Sequence, residues 1–219
     1  VKKWIKWLGI IEVEVQQLLI AKDIFWTVQN LIKRNKRIQK PSSFYRYLGD
    51  TYVSHVLMGI RRQVKIDRQS ISLARLLSEI ASDPKRISRN YYKTLYIGST
   101  VEAHADRDFD KFCGDDPNCI SVQMVTLDLE HLREVTKKCE NFADRRIAHR
   151  DKHKPNVLPK FIEVDECIEV LDKLCVKYHS IFHAAWTKSL MPTYQYDWLQ
   201  IFNEPWNLLE EELSSDELI

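Results

Sequence analysis

Glycine and proline are scarce, 5 and 7 in 219 residues. That argues against a turn-rich all-β fold, which needs both at its many reversals. No apolar run approaches the roughly 18 residues that a membrane-spanning helix requires. A cleavable leader is not expected either, because Glu12 and Glu14 cut short the apolar stretch behind the basic start VKKWIKWLGII. The 5 cysteines are odd in number and their spacings do not suit a disulfide scaffold, so a reducing, cytoplasmic setting is expected. A large charge of either sign is also missing. With 33 basic and 31 acidic side chains the net charge is +2, so composition alone does not imply a nucleic-acid binder, and any basic surface has to come from local clustering.

Amphipathic helix is what remains in abundance. Leu8, Ile11, Val15, Leu18, Phe25, Val28 and Ile32 recur at helical spacing and predict one long helix over 5–34. Its three tryptophans, Trp4, Trp7 and Trp26, are read as packing groups. Lysine and arginine in KRNKRIQK suit that helix's C-terminal end. Pro41 stops it, and Ser42 or Ser43 caps a second helix running to about Lys65. A short third helix starts at Ser70 or Ser72 and faces Leu73, Leu76, Leu77 and Ile80 inward. A fourth covers 84–96. Residues 97–120 read as an irregular surface excursion. Its His104, Asp106, Asp108, Asp110 and Cys113 match no fixed metal-ligand pattern, and neither a metal nor a cofactor is expected. A fifth helix spans about 121–147 and a sixth about 164–189. The aromatic stretch 196–206 is expected to pack back on the bundle.

The expected architecture is therefore all-α. Four long helices (first, second, fifth and sixth) form the bundle, and the shorter ones and 97–120 are insertions. One domain covers 1–206, and 207–219 form an acidic flexible tail.

Chemistry concentrates at NFADRRIAHRDKH, residues 141–153. Arg145 and His149 are four apart and share a helix face. Asp144 and Asp151 can orient guanidinium or imidazole groups. Histidine titrates near neutrality, and the arginine fork fits a phosphate, so Arg145, Arg146 and His149 can in principle cleave RNA without a metal. The bland reading is a polar network that fixes the next loop. A second basic group, Arg61, Arg62, Arg68 and Arg75 around Asp67, either pins a helix–helix turn by ion pairs or receives phosphate.

A long helix ending in RRIAHRD, then a loop and another long helix, resembles the HEPN superfamily. The stretch MGIRRQVKIDRQSISLARLLSEI ahead of it is similar to the AbiU2-like branch. The resemblance covers about 10–185. It implies a helical bundle from abortive phage-infection or toxin–antitoxin systems. It implies RNA or an antitoxin-like protein as partner and a homodimer with two motifs facing each other; no membrane association is expected, for want of a long apolar run. Active members resemble metal-independent ribonucleases whose motif runs arginine, polar residue, short spacer, histidine; others look like non-catalytic binding modules. Carried onto this chain, His149 is the motif histidine and Asp144 the polar residue, but the arginine position holds Ala143. Arg145 lies closer to His149 than the family spacing, and Arg145 or Arg146 is the substitute. Restoring the arginine by Ala143→Arg is expected to raise activity if the site is only crippled. Arg61, Arg62, Arg68, Arg150 and His153 are the expected substrate contacts. The resulting expectation is a weakly catalytic or non-catalytic protein that binds RNA or a protein partner. The alternatives are a metal-independent endoribonuclease using His149 with Arg145 or Arg146, and a structural helical protein.

Overall fold

The computed structural model describes residues 1–148, 158–204 and 206. The fold is all-α. Helices α1 (Lys2–Arg34), α2 (Ser43–Val64), α6 (Val122–Phe142) and α7 (Phe161–His183) are the long ones. Between them lie α3 (Leu73–Ser82), α4 (Arg89–Thr94) and α5 (Ala105–Phe109). Among the described residues no helix is long and apolar enough to cross a membrane.

Serine hydroxyls begin four of these helices. Ser42, Ser72, Ser88 and Ser121 accept from the backbone N–H groups of Phe44, Arg75, Tyr91 and Met124, satisfying donors that a helix start leaves unpaired. At its C-terminus α7 stops at His183, short of the expected Ser189, because Ala184 turns into the left-handed region at φ 50.

The long helices close a ring of contacts: α1 packs on α2 and α7, and α6 packs on α2 and α7. Leu8, Ile11, Val15, Val56, Leu57, Ile60, Leu132, Ile168, Leu171 and Tyr178 are fully buried within it. Gly59 lets α1 and α2 approach closely: a Cβ there would lie 2.5 Å from a Leu18 methyl.

Helix α3 is more than an insertion. It packs chiefly against α6, and its Leu73, Ala74, Leu76, Leu77 and Ile80 have no exposed surface. Full burial of each leucine or isoleucine contributes about 1.5–3 kcal/mol, so α3 belongs to the core.

Region 97–120 is likewise more ordered than an excursion. Phe109 and Phe112 pack against Tyr92. Arg89 reaches the Pro117 carbonyl at 2.7 Å, Asp110 at 2.6 Å and Asp106 at 3.3 Å. Lys93 and Lys111 take Asp106 and Asp108. The acids that hinted at a metal are thus engaged with cations of the same unit. The aromatic tail does return to the bundle: Tyr194 donates to Asp23 on α1, and Phe202 with Trp206 lines an apolar pocket with Val28 and Leu31.

Candidate functional site

The end of α6 is where the chemistry-bearing residues gather. The α-helical pattern runs to Phe142, and Ala143–Ala148 continue it as a π-helical turn. Such wide turns are uncommon and recur at functional sites. Ala143, at the position where the resemblance puts an arginine, is fully buried and part of the core.

Its neighbour Asp144 reaches α2. One carboxylate oxygen accepts from Arg61 Nε and the other from Lys65 Nζ at 2.8 Å. Lys65 also pairs with Glu140, one turn earlier on α6, at 2.8 Å. Burial would raise the Asp144 carboxyl, but the hydrogen bonds and charges of Lys65 and Arg61 outweigh it and hold the group below its ordinary range. The hydrogen bonds to Asp144 and Glu140 hold the Lys65 ammonium above its own range. Asp144 therefore orients an arginine, and that arginine is Arg61 rather than Arg145.

Arg145 and Arg146 are exposed on the π-helical turn. Arg62 sits farther round α2, its Nε 3.5 Å from Glu14 of α1. Arg68 is exposed in the α2–α3 turn. That turn is not pinned by arginine pairs. Asp67 accepts the backbone N–H groups of Gln69 and Ser70, both at 2.8 Å, and Arg75 donates to the Ser70 carbonyl at 2.7 Å. The structure thus brings Arg61, Asp144, Arg145 and Arg146 to one end of the bundle, with Arg62 on the adjoining face of α2. His149, Arg150, Asp151 and His153 lie outside the described residues.

One surface feature escaped sequence reasoning. A shallow, open depression runs along the outer face of α2, lined by Tyr47, Asp50, His55, Met58 and Arg62, with Ile147 of the π-helical turn on its flank. Tyr47 and His55 suit the apolar or aromatic side of this helix by residue type alone. In the structure Val56 is buried, while Tyr47 and His55 are exposed. The available signal was the spacing 47, 51, 55, 58, 62, a second stripe opposite the buried one.

The other expectations concern thiols, tryptophans and metals. Cys119, Cys139, Cys167 and Cys175 are buried and free, as core thiols. Cys139 and Cys167 come within 3.6 Å, sulfur to sulfur, where α6 meets α7. Trp4 is buried and donates to Glu79 at 3.0 Å, while Trp26 donates to Asp165 at 3.2 Å. Lys3 and Arg75 flank the Trp7 ring. All three tryptophans are engaged within the chain. Among the described residues no group of three or more His, Cys, Asp or Glu side chains is placed to hold a metal ion.

An all-α chain with these long helices and a polar hub at the end of α6 fits the family comparison, in which the AbiU2 model of the HEPN type matches residues 5–201. The chain belongs to the AbiU2 family. No curated protein and no solved structure matches it. AbiU2 membership suggests a helical protein of the abortive-infection, toxin-like kind. Ala143, where the resemblance puts an arginine, is a core residue of this AbiU2 protein.

Proposed function

We propose that this AbiU2 protein binds RNA at the basic end of its bundle, through Arg61, Arg145 and Arg146, and cleaves it weakly or not at all. One observation carries the reading. Ala143 is fully buried while Asp144 draws Arg61 and Lys65 to the same place, so cationic groups gather at the motif but the motif's own arginine position offers none. Arginine forks at a surface suit phosphate, and exposed Arg145 and Arg146 supply two beside the hub. Lys65 is occupied by two carboxylates and acts as support for Asp144.

Cleavage needs a proton-transfer group beside the phosphate, a role for His149. In that alternative the ribose 2′-oxygen attacks the adjacent phosphorus, its proton passes to a base, and the 5′-oxygen leaves with a proton. The products are a 2′,3′-cyclic phosphate and a 5′-hydroxyl end. Homodimerisation and an antitoxin-like partner belong to the same proposal, in a cytoplasmic setting. Exposed Ile10 and Val13 of α1 support a subunit contact.

The test combines binding and cleavage of labelled single-stranded RNA in the presence of EDTA. Retarded but intact RNA is the expected result. Efficient chelator-resistant cleavage that His149→Ala lowers by about 10²-fold would make the protein an endoribonuclease instead. No association with RNA leaves a protein partner as the ligand or a structural helical protein.

A further inference from the structure

We propose that residues 207–219 of this chain dock on its own turn between α1 and α2, with Leu208 and Leu209 in the apolar pocket there and the glutamates that follow on its basic surface. This goes beyond the RNA-binding reading and does not depend on it.

The turn is held in one shape. The Gln39 side-chain amide donates to the Ile32 and Lys33 carbonyls at 3.2 and 2.6 Å, satisfying acceptors that the end of α1 leaves open. The Tyr45 hydroxyl of α2 donates to the Ile38 carbonyl at 2.7 Å. Fixed in this way, Ile38 lines a pocket of about 370 Å³ with Leu31 and Ile32 of α1, Phe44 of α2, and Phe202 and Trp206. Nearly all of its wall is apolar. An apolar cavity of about 150 Å³ already takes a benzene-sized guest, so this pocket has room for two leucine side chains. The described residues do not cover it: Ile38 is 41% exposed, Phe44 50% and Trp206 63%. Covering such a contiguous apolar surface is favourable.

Charge is the second argument. No acidic residue occurs from Ile24 to Gly49, the longest such stretch in the chain, and it carries Lys33, Arg34, Lys36, Arg37, Lys40 and Arg46. All six are exposed. Elsewhere in the bundle cations find carboxylates, as Lys22 finds Glu169 and Lys65 finds Glu140 and Asp144. Among the described residues none of these six has such a partner.

Connectivity names the occupant. Residues 207–219, NLLEEELSSDELI, lie outside the described residues and follow directly on Trp206. Three extended residues span about 10 Å, so Leu208 and Leu209 stay within that distance of a residue that walls the pocket. The segment is apolar first and acidic next, and the surface matches: Lys33 and Arg37 adjoin the wall residues Ile32 and Ile38 in the chain. Glu210, Glu211, Glu212, Asp216 and Glu217 bring five carboxylates to the six cations. Tethering holds the segment at an effective concentration in the millimolar range, which favours it over a free acidic peptide. Docked, it covers the apolar wall and closes the basic turn to other polyanions.

Carbodiimide cross-linking of the full chain tests this, because it joins a lysine amine to a carboxylate only where the two meet. The sample is an equal mixture of light and heavy-nitrogen protein, and mass spectrometry identifies the linked peptides. Links from Glu210, Glu211 or Glu212 to Lys33, Lys36 or Lys40 within one chain are expected, in preference to links to Lys137, Lys173 and Lys188, which are also exposed. Leu208→Ser/Leu209→Ser keeps every charge and is expected to lower the preferred links about fivefold or more, since the apolar anchor is gone. The variant changes no residue of the bundle, and circular dichroism checks its helix content. Absent links, or links spread evenly over the other lysines, overturn the inference. So do links unchanged in the leucine variant, which would make the contact one of charge alone, without the pocket. Links between light and heavy chains put the tail of a second copy on the turn and overturn docking within the chain.

Discussion

Asp144 accepts a hydrogen bond from the Arg61 guanidinium across the seam between the end of α6 and α2. The pairing joins two basic segments far apart in sequence. It makes Arg61 the arginine that the site's carboxylate orients.

The first prediction follows from the charges at this seam. The Asp144 carboxyl is held below its ordinary range, so its pairing adds stability that is present above the unfolded carboxylate value and is lost as pH falls through the folded one. Lys65 is held above its ordinary range, so its share is present below the unfolded lysine value and is lost as pH rises through the folded one. Between about pH 5 and 9, Asp144→Asn is expected to lower stability by about 1 kcal/mol, a modest figure because these side chains are about a third exposed. Thermal melts across pH check it. The gap between variant and wild type should close on strong acidification, and a gap that persists unchanged at pH 2 contradicts the ion-pair account.

A second prediction concerns the core alanine. Ala143 has no exposed surface, so Ala143→Arg must push a long charged side chain out through packed neighbours. Overpacking of this kind costs about 1–3 kcal/mol, and burying the charge adds to it. A fall in Tm on the order of 5 °C is expected, with no gain in RNA cleavage. Calorimetry with the EDTA cleavage assay decides. An unchanged Tm with new chelator-resistant cleavage contradicts the account and restores the simpler idea of a crippled site.

Helix α3 gives a third. Leu76 and Leu77 are fully buried where α3 packs on α6. Leu77→Ala is expected to cost about 2–5 kcal/mol of global stability. Urea unfolding measures it. A loss below about 0.5 kcal/mol would make α3 a peripheral insertion, as the residue pattern first suggests.

Thiol chemistry gives a fourth. Of the five cysteines only Cys113 is not buried, and burial, helped by nearby Asp116, holds the Cys119 thiol above its ordinary value. Titration of native protein with an aromatic disulfide reagent is expected to show one fast thiol, rising to five in denaturant. Rapid reaction of Cys139 or Cys167 in the native state contradicts the packing described for α6 and α7.

Much of the fold was legible because its signals are local. Ser42 and Ser72 were readable as caps, and the periodic Leu and Ile residues as one inward face per helix. Two things were not. The end of α7 depends on Ala184 adopting a left-handed conformation, which alanine does not advertise. The value of α3 depends on what it packs against, a tertiary matter. At the site, the sequence could place Asp144 beside Arg145 along the chain. It had no means of showing that α2 would bring Arg61 and Lys65 to the same carboxylate.

The central claim is that exposed arginines on the π-helical turn hold RNA by its phosphates. The most direct measurement is the affinity of wild type and of the Arg145→Glu/Arg146→Glu double variant for one labelled single-stranded RNA, taken across a series of salt concentrations. The account predicts at least a tenfold loss in the variant and a log–log salt slope shallower by about 1–2 units, one phosphate contact per arginine, with Tm nearly unchanged. Equal affinity and equal slope for the two proteins would contradict it.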